Sequence, residues 1–388
     1  MNGTPPITPA PPSRAPRVLW VSLAREWSGA EESLLEILRH TAGTAGIAIP
    51  EGPFAKRARA AGWEPLPLPA WSPRVGAGPG GWLAAGAGVV KLARACRAHA
   101  RAVGADIVAA NGLRAGMAAS FGVDLPTIWA VRDNVPPGPA AAVARLVARR
   151  RGVTLVANSR FIRDQCHRAF GAKVAAYAVH PGVDWPEAVP RLRAELGIDR
   201  TVPLVGVVGQ IAPWKRQHDA LAAVRVARGV HPHLRMVVVG SAKFRPENHA
   251  YLSRLRADAE ADGGRTVFLG ERADLPALYP DLDALLVPSS GEPFGRVAAE
   301  ALGYGVPVVG AVPGGLAEIV STPDRGRLVP SGDVARLAAA LLEVLDQGRR
   351  AAPVVSAVRA QFPAEAAGRN WEGVYRAVLG EANSACVA

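Results

Sequence analysis

Cysteines, lysines and long apolar runs are all scarce in this sequence. The three cysteines, Cys96, Cys166 and Cys386, lie far apart and lack the spacing of a metal site or of an even-numbered disulfide framework. Such usage is typical of a reducing cytoplasm. No apolar run approaches the length that spans a bilayer. We therefore predict a cytoplasmic protein without structural disulfides.

The composition nevertheless favours a large folded protein. The 388 residues are enough for two domains of ordinary size, and 49% hydrophobic residues supply the material for their cores. The first residues, MNGTPPITPAPPSRAP, are rich in proline and lack the apolar centre of a signal peptide. We predict a disordered tail over residues 1–16.

Positive charge is concentrated in the first half of the chain. The formal net charge is +12, and residues 1–184 contain 22 basic and 11 acidic side chains. Two interpretations stay open: a solvated helix face, or a surface for an anionic acceptor or an anionic membrane. The second would allow peripheral membrane association. Nucleic acid is a weaker candidate because no known binding motif accompanies the charge.

Apolar, strand-like segments alternate with helical patterns along the chain. Continuous Val/Ile/Leu runs are typical of parallel strands that are covered on both faces. The alternation predicts right-handed βαβ units in two doubly wound domains, 17–184 and 185–361, with a final helical segment, 362–388, packing back on the first. The predicted strands are 17–23, 105–111, 126–132, 153–159, 203–211, 234–240, 266–270, 284–289 and 306–311.

The segment VPSSGEPFGRVAAEALGYGVPVV, residues 287–309, carries two glutamates around a Phe-Gly pair. It predicts a strand, an exit loop and a helix that begins near Gly295, so the backbone N–H groups of Gly295, Arg296 and Val297 form an anion site. Glu292 and Glu300 would be repelled by a phosphate, but an ionised carboxylate accepts hydrogen bonds from hydroxyl groups. Hydroxyls on both sides of a diphosphate describe a sugar nucleotide.

The same segment, extended to VFLGERADLPALYPDLDALLVPSSGEPFGRVAAEALGYGVPVVGAVPGGLAEIV, resembles the donor site of the retaining GT-B glycosyltransferases of glycosyltransferase family 4. The resemblance covers most of the chain. It implies two facing Rossmann-like domains, a nucleotide-sugar donor and no metal or other cofactor. By resemblance, Glu292 lies at the donor sugar, Glu300 binds the ribose, and Phe294, Gly295, Arg296 and Val297 contact sugar and diphosphate.

A second phosphate-binding element is expected after the strand at 203–211. The resemblance places a cation pair there, and this chain has Lys215 but Gln210 in place of the expected arginine. Loss of one cation would weaken stabilisation of the leaving group. We expect Arg216 or Arg296 to compensate, with Arg296 favoured because it lies at the helix start.

The first half departs most from the family pattern. Arg132 stands where many members have a histidine near the reacting sugar, and we expect it to serve the sugar or the leaving phosphate electrostatically. An Arg–Asp pair at the surface or between the domains is the alternative. Gly29 lies at a helix start that would approach the donor diphosphate. The motif Asp281–Asp283 mimics a metal-binding Asp-x-Asp sequence of another transferase fold, and no metal is expected there.

The sequence therefore predicts a hexosyltransferase that moves a sugar, with UDP the favoured nucleotide, to an acceptor hydroxyl with retention of configuration. No pair of side-chain carboxylates is placed for double displacement, so the departing phosphate is expected to assist the hydroxyl on the same face. Two alternatives remain: a sugar-nucleotide 2-epimerase of the same fold, and a non-catalytic sugar-nucleotide sensor.

Overall fold

A computed structural model describes residues 14–71, 79–243 and 245–381 of the chain. Most of the predicted tail at 1–16, and residues 382–388 of the final predicted segment, lie outside the described residues. Within the described part, no helix is both long and apolar enough to cross a membrane.

Two parallel β-sheets organise the molecule. The first has seven strands in the order β3-β2-β1-β4-β5-β6-β7, and the second has six in the order β10-β9-β8-β11-β12-β13. The strands are β1 Val18–Ser22, β2 Thr44–Ile49, β3 Leu66–Pro67, β4 Ile107–Asn111, β5 Thr127–Val131, β6 Thr154–Ala157, β7 Ala176–Ala178, β8 Leu204–Val208, β9 Arg235–Val239, β10 Thr266–Gly270, β11 Ala284–Val287, β12 Val308–Val312 and β13 Gly326–Pro330.

Helices connect the strands and cover both faces of each sheet. They are α1 Gly29–His40, α2 Pro53–Ala60, α3 Pro79–Ala102, α4 Leu113–Gly122, α5 Pro139–Arg151, α6 Arg160–Phe170, α7 Leu192–Leu196, α8 Gln217–Ala227, α9 Pro246–Glu260, α10 Leu275–Leu278, α11 Arg296–Gly303, α12 Leu316–Ile319, α13 Val334–Gln347, α14 Ala352–Gln361 and α15 Ala364–Val378. Short 3-10 turns lie at Pro213–Lys215 and Tyr279–Asp281.

This architecture confirms the prediction of two facing doubly wound domains. All nine predicted strands form. Eight of them are mostly buried runs of β-branched and aliphatic side chains packed on two faces, and the ninth, the edge strand β10, is only partly buried. Trp20 and Trp129, both fully buried, belong to clusters on opposite faces of the first sheet. The strand order reverses between β1 and β4 and between β8 and β11, the places where open sheets of this kind bind ligands.

The last helix, α15, lies against the first domain although its sequence follows the second. Trp371 packs edge-on against Trp20 with ring centroids 5.0 Å apart, and Trp20 Nε1 donates to the Tyr375 hydroxyl at 3.2 Å. The two connections between the domains run side by side, since Val183 N donates to Phe362 O at 2.9 Å.

Candidate functional site

A cleft of about 1200 Å³ separates the carboxyl ends of the two sheets. Both domains line it, and its volume exceeds the roughly 300–1,000 Å³ of ordinary small-molecule sites, which leaves room for more than one substrate. Ten of the eleven residues that the sequence predicts for the catalytic and donor site line this cleft; the eleventh, Arg216, does not. The ten are Gly29, Arg132, Gln210, Lys215, Glu292, Phe294, Gly295, Arg296, Val297 and Glu300.

Glu292 and Lys215 form a largely buried ion pair on the second domain's side of the cleft. Lys215 Nζ donates to Glu292 Oε2 at 2.8 Å, and the side chains are 16% and 7% exposed. Lys215 ends the 3-10 turn after β8 and lies 4.3 Å from the centroid of the Trp214 ring. The backbone of Glu292 is held by Gly315, whose N–H donates to Glu292 O at 2.7 Å.

Helix α11 begins where the sequence predicts, beside this pair. Gly295 precedes it with φ +100°, a left-handed conformation that favours glycine, and a Cβ there would lie 2.4 Å from Leu316 Cδ2. The first-turn N–H groups of a helix have no partner within it, so those of Arg296 and Val297 suit an anion in the cleft. The Phe294 ring is buried and stacks on His180 with centroids 5.5 Å apart.

Glu300 lies one turn into α11 and accepts two hydrogen bonds. The Tyr279 hydroxyl donates to Oε2 at 2.7 Å and Arg296 Nε donates to Oε1 at 2.6 Å. Burial is the main cause that raises the pKa of Tyr279, and the nearby Glu300 carboxylate adds to it, so the phenol stays a donor. An ionised carboxylate has about four acceptor positions, which leaves Glu300 the capacity to bind hydroxyl groups.

The two arginines expected to replace the missing cation are bound elsewhere. Arg296 Nη1 and Nη2 donate to the two carboxylate oxygens of Glu36, at 2.5 Å each, and its Nε serves Glu300. Arg216, at φ 53°, turns away from the cleft and donates from Nε to Asp219 at 2.5 Å. The expectation that either guanidinium compensates for Gln210 is therefore not supported by the geometry.

Arg132 is the most buried cation on the first domain's side. It is 7% exposed and donates from Nε to Asn111 Oδ1 at 3.2 Å, while its buried Nη2 has no hydrogen-bond partner. Burial lowers the pKa of Arg132 to about 10, with nearby carboxylates such as Glu31 opposing the shift, so the guanidinium stays charged near neutrality. Asn158, which also lines the cleft, has a buried Oδ1 without a partner.

Helix α1 presents its start to the same space. Ser28 caps it by accepting from Ala30 N at 3.4 Å, and its hydroxyl donates to Glu31 Oε2 at 2.5 Å. Ser28 and Glu31 have the sequence spacing of a capping box, but here the glutamate accepts from the serine hydroxyl. A Cβ built on Gly29 would find no atom within 4 Å. Gly29 therefore borders open cleft, as expected for a residue that approaches a ligand. Burial raises the pKa of Glu31 to about 7.

Three functional candidates were missed at the level of sequence: Lys243, Glu36 and Tyr279. Lys243 follows β9, lines the cleft, and donates from Nζ to Trp27 O of the first domain at 2.7 Å and to Glu271 Oε1 at 2.6 Å. Only five lysines occur in the chain, so their scarcity was a signal that could have found Lys243. No comparable signal in the sequence marks Glu36 or Tyr279.

Close contacts join the domains along one side of the cleft. Ser159 Oγ donates to Pro293 O at 2.6 Å, and Asn134 Nδ2 donates to Gly291 O at 2.7 Å. Glu318 accepts from Phe161 N at 3.0 Å and from His180 Nε2 at 2.7 Å. Burial alone would raise the pKa of Glu318, but these hydrogen bonds outweigh it and lower the value to about 2.

Comparison with known proteins extends these observations. Residues 189–360 match the family described as Glycosyl transferases group 1. D-inositol 3-phosphate glycosyltransferase of Mycobacterium marinum is 35% identical over 220 residues, which cover 55% of this chain and 45% of that protein. The protein of the same name from Rhodococcus jostii is 33% identical over 257 residues, or 62% and 54%. The chain thus spans about half the length of these curated relatives.

The solved structure of HepE from Anabaena in complex with UDP-glucose is similar over nearly the whole chain. The TM-score is 0.77 at 24% identity, covering 93% of this chain and 99% of that one. This likeness establishes the fold, in which two Rossmann-like domains face each other across a cleft. The family match falls on the second of those domains. Residues 189–360 therefore match the Glycosyl transferases group 1 family, and the chain as a whole has the GT-B fold.

Proposed function

We propose that this protein transfers a sugar from a nucleotide diphosphate sugar to an acceptor hydroxyl with retention of configuration. The observation that carries the proposal is the arrangement around the start of α11. The Lys215–Glu292 pair lies before the helix start and Glu300 one turn after it, and all line one cleft. Glu292, then Lys215 with the helix N–H groups, then Glu300 thus follow the order of sugar, diphosphate and ribose in such a donor.

The diphosphate is proposed to lie at the N-terminus of α11, against Lys215. The helix N–H groups and the ammonium supply positive charge where negative charge develops as the nucleotide leaves. No metal or cofactor is needed in this scheme, since these groups do the neutralising. Glu300 would accept hydrogen bonds from the ribose hydroxyls, and Glu292 from a hydroxyl of the transferred sugar.

Retention is proposed to follow a same-face route. Glu292 is paired with Lys215, which lowers its value as a nucleophile, and Glu300 is assigned to the ribose, so neither predicted glutamate is free to form a covalent intermediate. The acceptor oxygen forms its bond to the sugar as the bond to the diphosphate breaks. The hydroxyl proton passes to a departing phosphate oxygen.

UDP is the nucleotide we propose first, because the structurally similar HepE was solved with UDP-glucose. For the acceptor we propose an alcohol that carries an anionic group. Arg132 lines the cleft and would offer such a group a charge-assisted hydrogen bond, and the two curated relatives described above are named for an inositol phosphate. We also propose that the protein is located in the cytoplasm.

Incubation with radiolabelled UDP-sugars tests the proposal without knowledge of the acceptor. Slow hydrolysis of one donor is the expected result for a transferase deprived of acceptor. An isomerised donor would show a 2-epimerase, and a donor bound but unchanged would show a sensor. Addition of inositol phosphates, with inositol as the matched uncharged control, then tests the acceptor. Faster turnover with the phosphorylated alcohols alone supports the role of Arg132.

A further inference from the structure

Arg296 joins the two domains through a chain of carboxylates beside the donor site. Its two terminal nitrogens hold Glu36, on α1 of the first domain, and its Nε holds Glu300 on α11 of the second. The side chains of Glu36, Arg296 and Glu300 are 6%, 17% and 12% exposed. A bidentate guanidinium–carboxylate pair fixes orientation as well as distance. Glu36 therefore determines the orientation of the forked Arg296 guanidinium, called the fork below.

The direction of the fork decides how many acceptor positions Glu300 retains. With Nη1 and Nη2 on Glu36, only one Arg296 N–H reaches Glu300, at Oε1. The Tyr279 hydroxyl occupies one position on Oε2. Each oxygen of Glu300 therefore has a single protein donor and a remaining lone pair. This state suits a carboxylate that must accept two neighbouring hydroxyl groups.

We propose that Glu36 is a positioning residue for nucleotide recognition: by holding the Arg296 fork, it keeps Glu300 open to the ribose hydroxyls. The inference rests on the proposed function, since it deepens the role of Glu300. Glu36 lines the cleft from the first domain, the domain otherwise proposed to serve the acceptor. The first domain thereby contributes to selection of the donor nucleotide.

Removal of the Glu36 charge frees the fork. Arg296 then has one carboxylate in reach, and a guanidinium pairs with a lone carboxylate through two parallel N–H···O bonds. That pairing takes the positions on Glu300 that the ribose would use. Nucleotides with a ribose diol lose affinity, whereas a nucleotide that lacks one of the hydroxyls has less to lose.

The test is calorimetric titration of UDP and 2′-deoxy-UDP, with the ratio of the two dissociation constants as the readout. Wild type is expected to prefer UDP at least tenfold, as charge-assisted hydrogen bonds allow. Glu36→Gln is expected to reduce that preference to about threefold or less, since the carboxylate then keeps fewer open positions. Glu64→Gln, at an exposed glutamate of the first domain that does not line the cleft, is the control and keeps the wild-type ratio.

Glu36→Asp provides a second arm should Glu36→Gln fail to fold. Aspartate keeps the charge but is one methylene shorter, so it cannot hold the Arg296 guanidinium in the same place and the ratio should fall in the same direction. A wild-type preference that persists in both folded variants overturns the inference and leaves the proposed function standing. Failure of wild type to bind UDP or any other nucleoside diphosphate overturns the proposed function itself.

Discussion

Lys215 Nζ lies 2.8 Å from Glu292 Oε2, although the two residues follow different strands of the second sheet. The ammonium is thus paired with a carboxylate before any diphosphate arrives. A lysine that contacts both a carboxylate and a phosphate is held in position by the carboxylate while negative charge develops on the leaving group. Removal of either partner leaves the other charge buried and uncompensated, which is costly.

Lys215→Ala is therefore expected to lower kcat by about 100-fold or more, the range seen when one electrostatic donor to a transition state is lost. Steady-state kinetics with the donor identified by hydrolysis measure it. Lys173→Ala, at an exposed lysine of the first domain, is the control and should match wild type. Equal kcat in the two variants would remove Lys215 from the mechanism.

Glu300→Gln keeps the size of the side chain and removes its charge. The charge-assisted hydrogen bonds it loses are worth about 1.5–3 kcal/mol each, so donor KM should rise at least tenfold. The fold is expected to survive, as judged by circular dichroism and the melting temperature. An unchanged KM in the folded variant would contradict the ribose assignment.

Gln210→Arg should strengthen nucleotide binding, because neither Arg216 nor Arg296 points a free guanidinium at the phosphates. A gain of about 1 kcal/mol, near fivefold in affinity, is expected for a partly exposed site that already holds Lys215. Titration with UDP measures it, with Arg216→Ala expected to leave the affinity unchanged. Flat or weaker binding in Gln210→Arg would show that another cation already fills that place.

Gly295→Ala tests the loop that aims α11 at the cleft. Alanine there is strained at φ +100° and its Cβ would meet Leu316 Cδ2 at 2.4 Å. Gly62→Ala is the matched control, since Gly62 has φ +87° and nothing within 4 Å of the added carbon. The free energy of unfolding should fall by about 1–3 kcal/mol more in Gly295→Ala, the usual cost of overpacking. Equal losses in urea titration would mean that the loop relaxes.

Glu318 predicts an acid sensitivity at the contact between the domains. Its pKa is about 2 against an ordinary 4.5, so the stability it contributes is present above pH 4.5 and is lost as pH falls toward 2. The shift corresponds to about 3 kcal/mol. The difference in unfolding free energy between wild type and Glu318→Gln should therefore shrink from pH 5 to pH 2. A constant difference across that interval would refute the contribution of the carboxylate charge.

The central strands and the main glutamates could be predicted because their signals are local. Strands such as Leu204–Val208 are continuous buried apolar runs, and the spacing of Glu292 and Glu300 follows from one loop and one helix. Four strands were missed. Leu66–Pro67 and Ala176–Ala178 have only two or three residues and so carry no period, and Thr44–Ile49 and Gly326–Pro330 contain glycine, arginine or proline that interrupts an apolar run.

The partners of the arginines could not be predicted for a different reason. Glu36 and Arg296 are 260 residues apart, and only the folded arrangement of the domains brings them together. Arg216 adopts a left-handed backbone conformation, uncommon for residues other than glycine, that sends its side chain toward Asp219. Neither the contact between Glu36 and Arg296 nor the backbone conformation of Arg216 can be predicted from residue type and spacing.

The path of α15 has a consequence for synthesis on the ribosome. Trp371 and Tyr375 cover Trp20 and the inner face of α1, so the first domain is built from two segments separated by the whole second domain. As the nascent chain emerges, the second domain has all of its strands before the first has its last helix. The half that is translated first is thus the half that is completed last, and its apolar face stays uncovered until residue 378 is available.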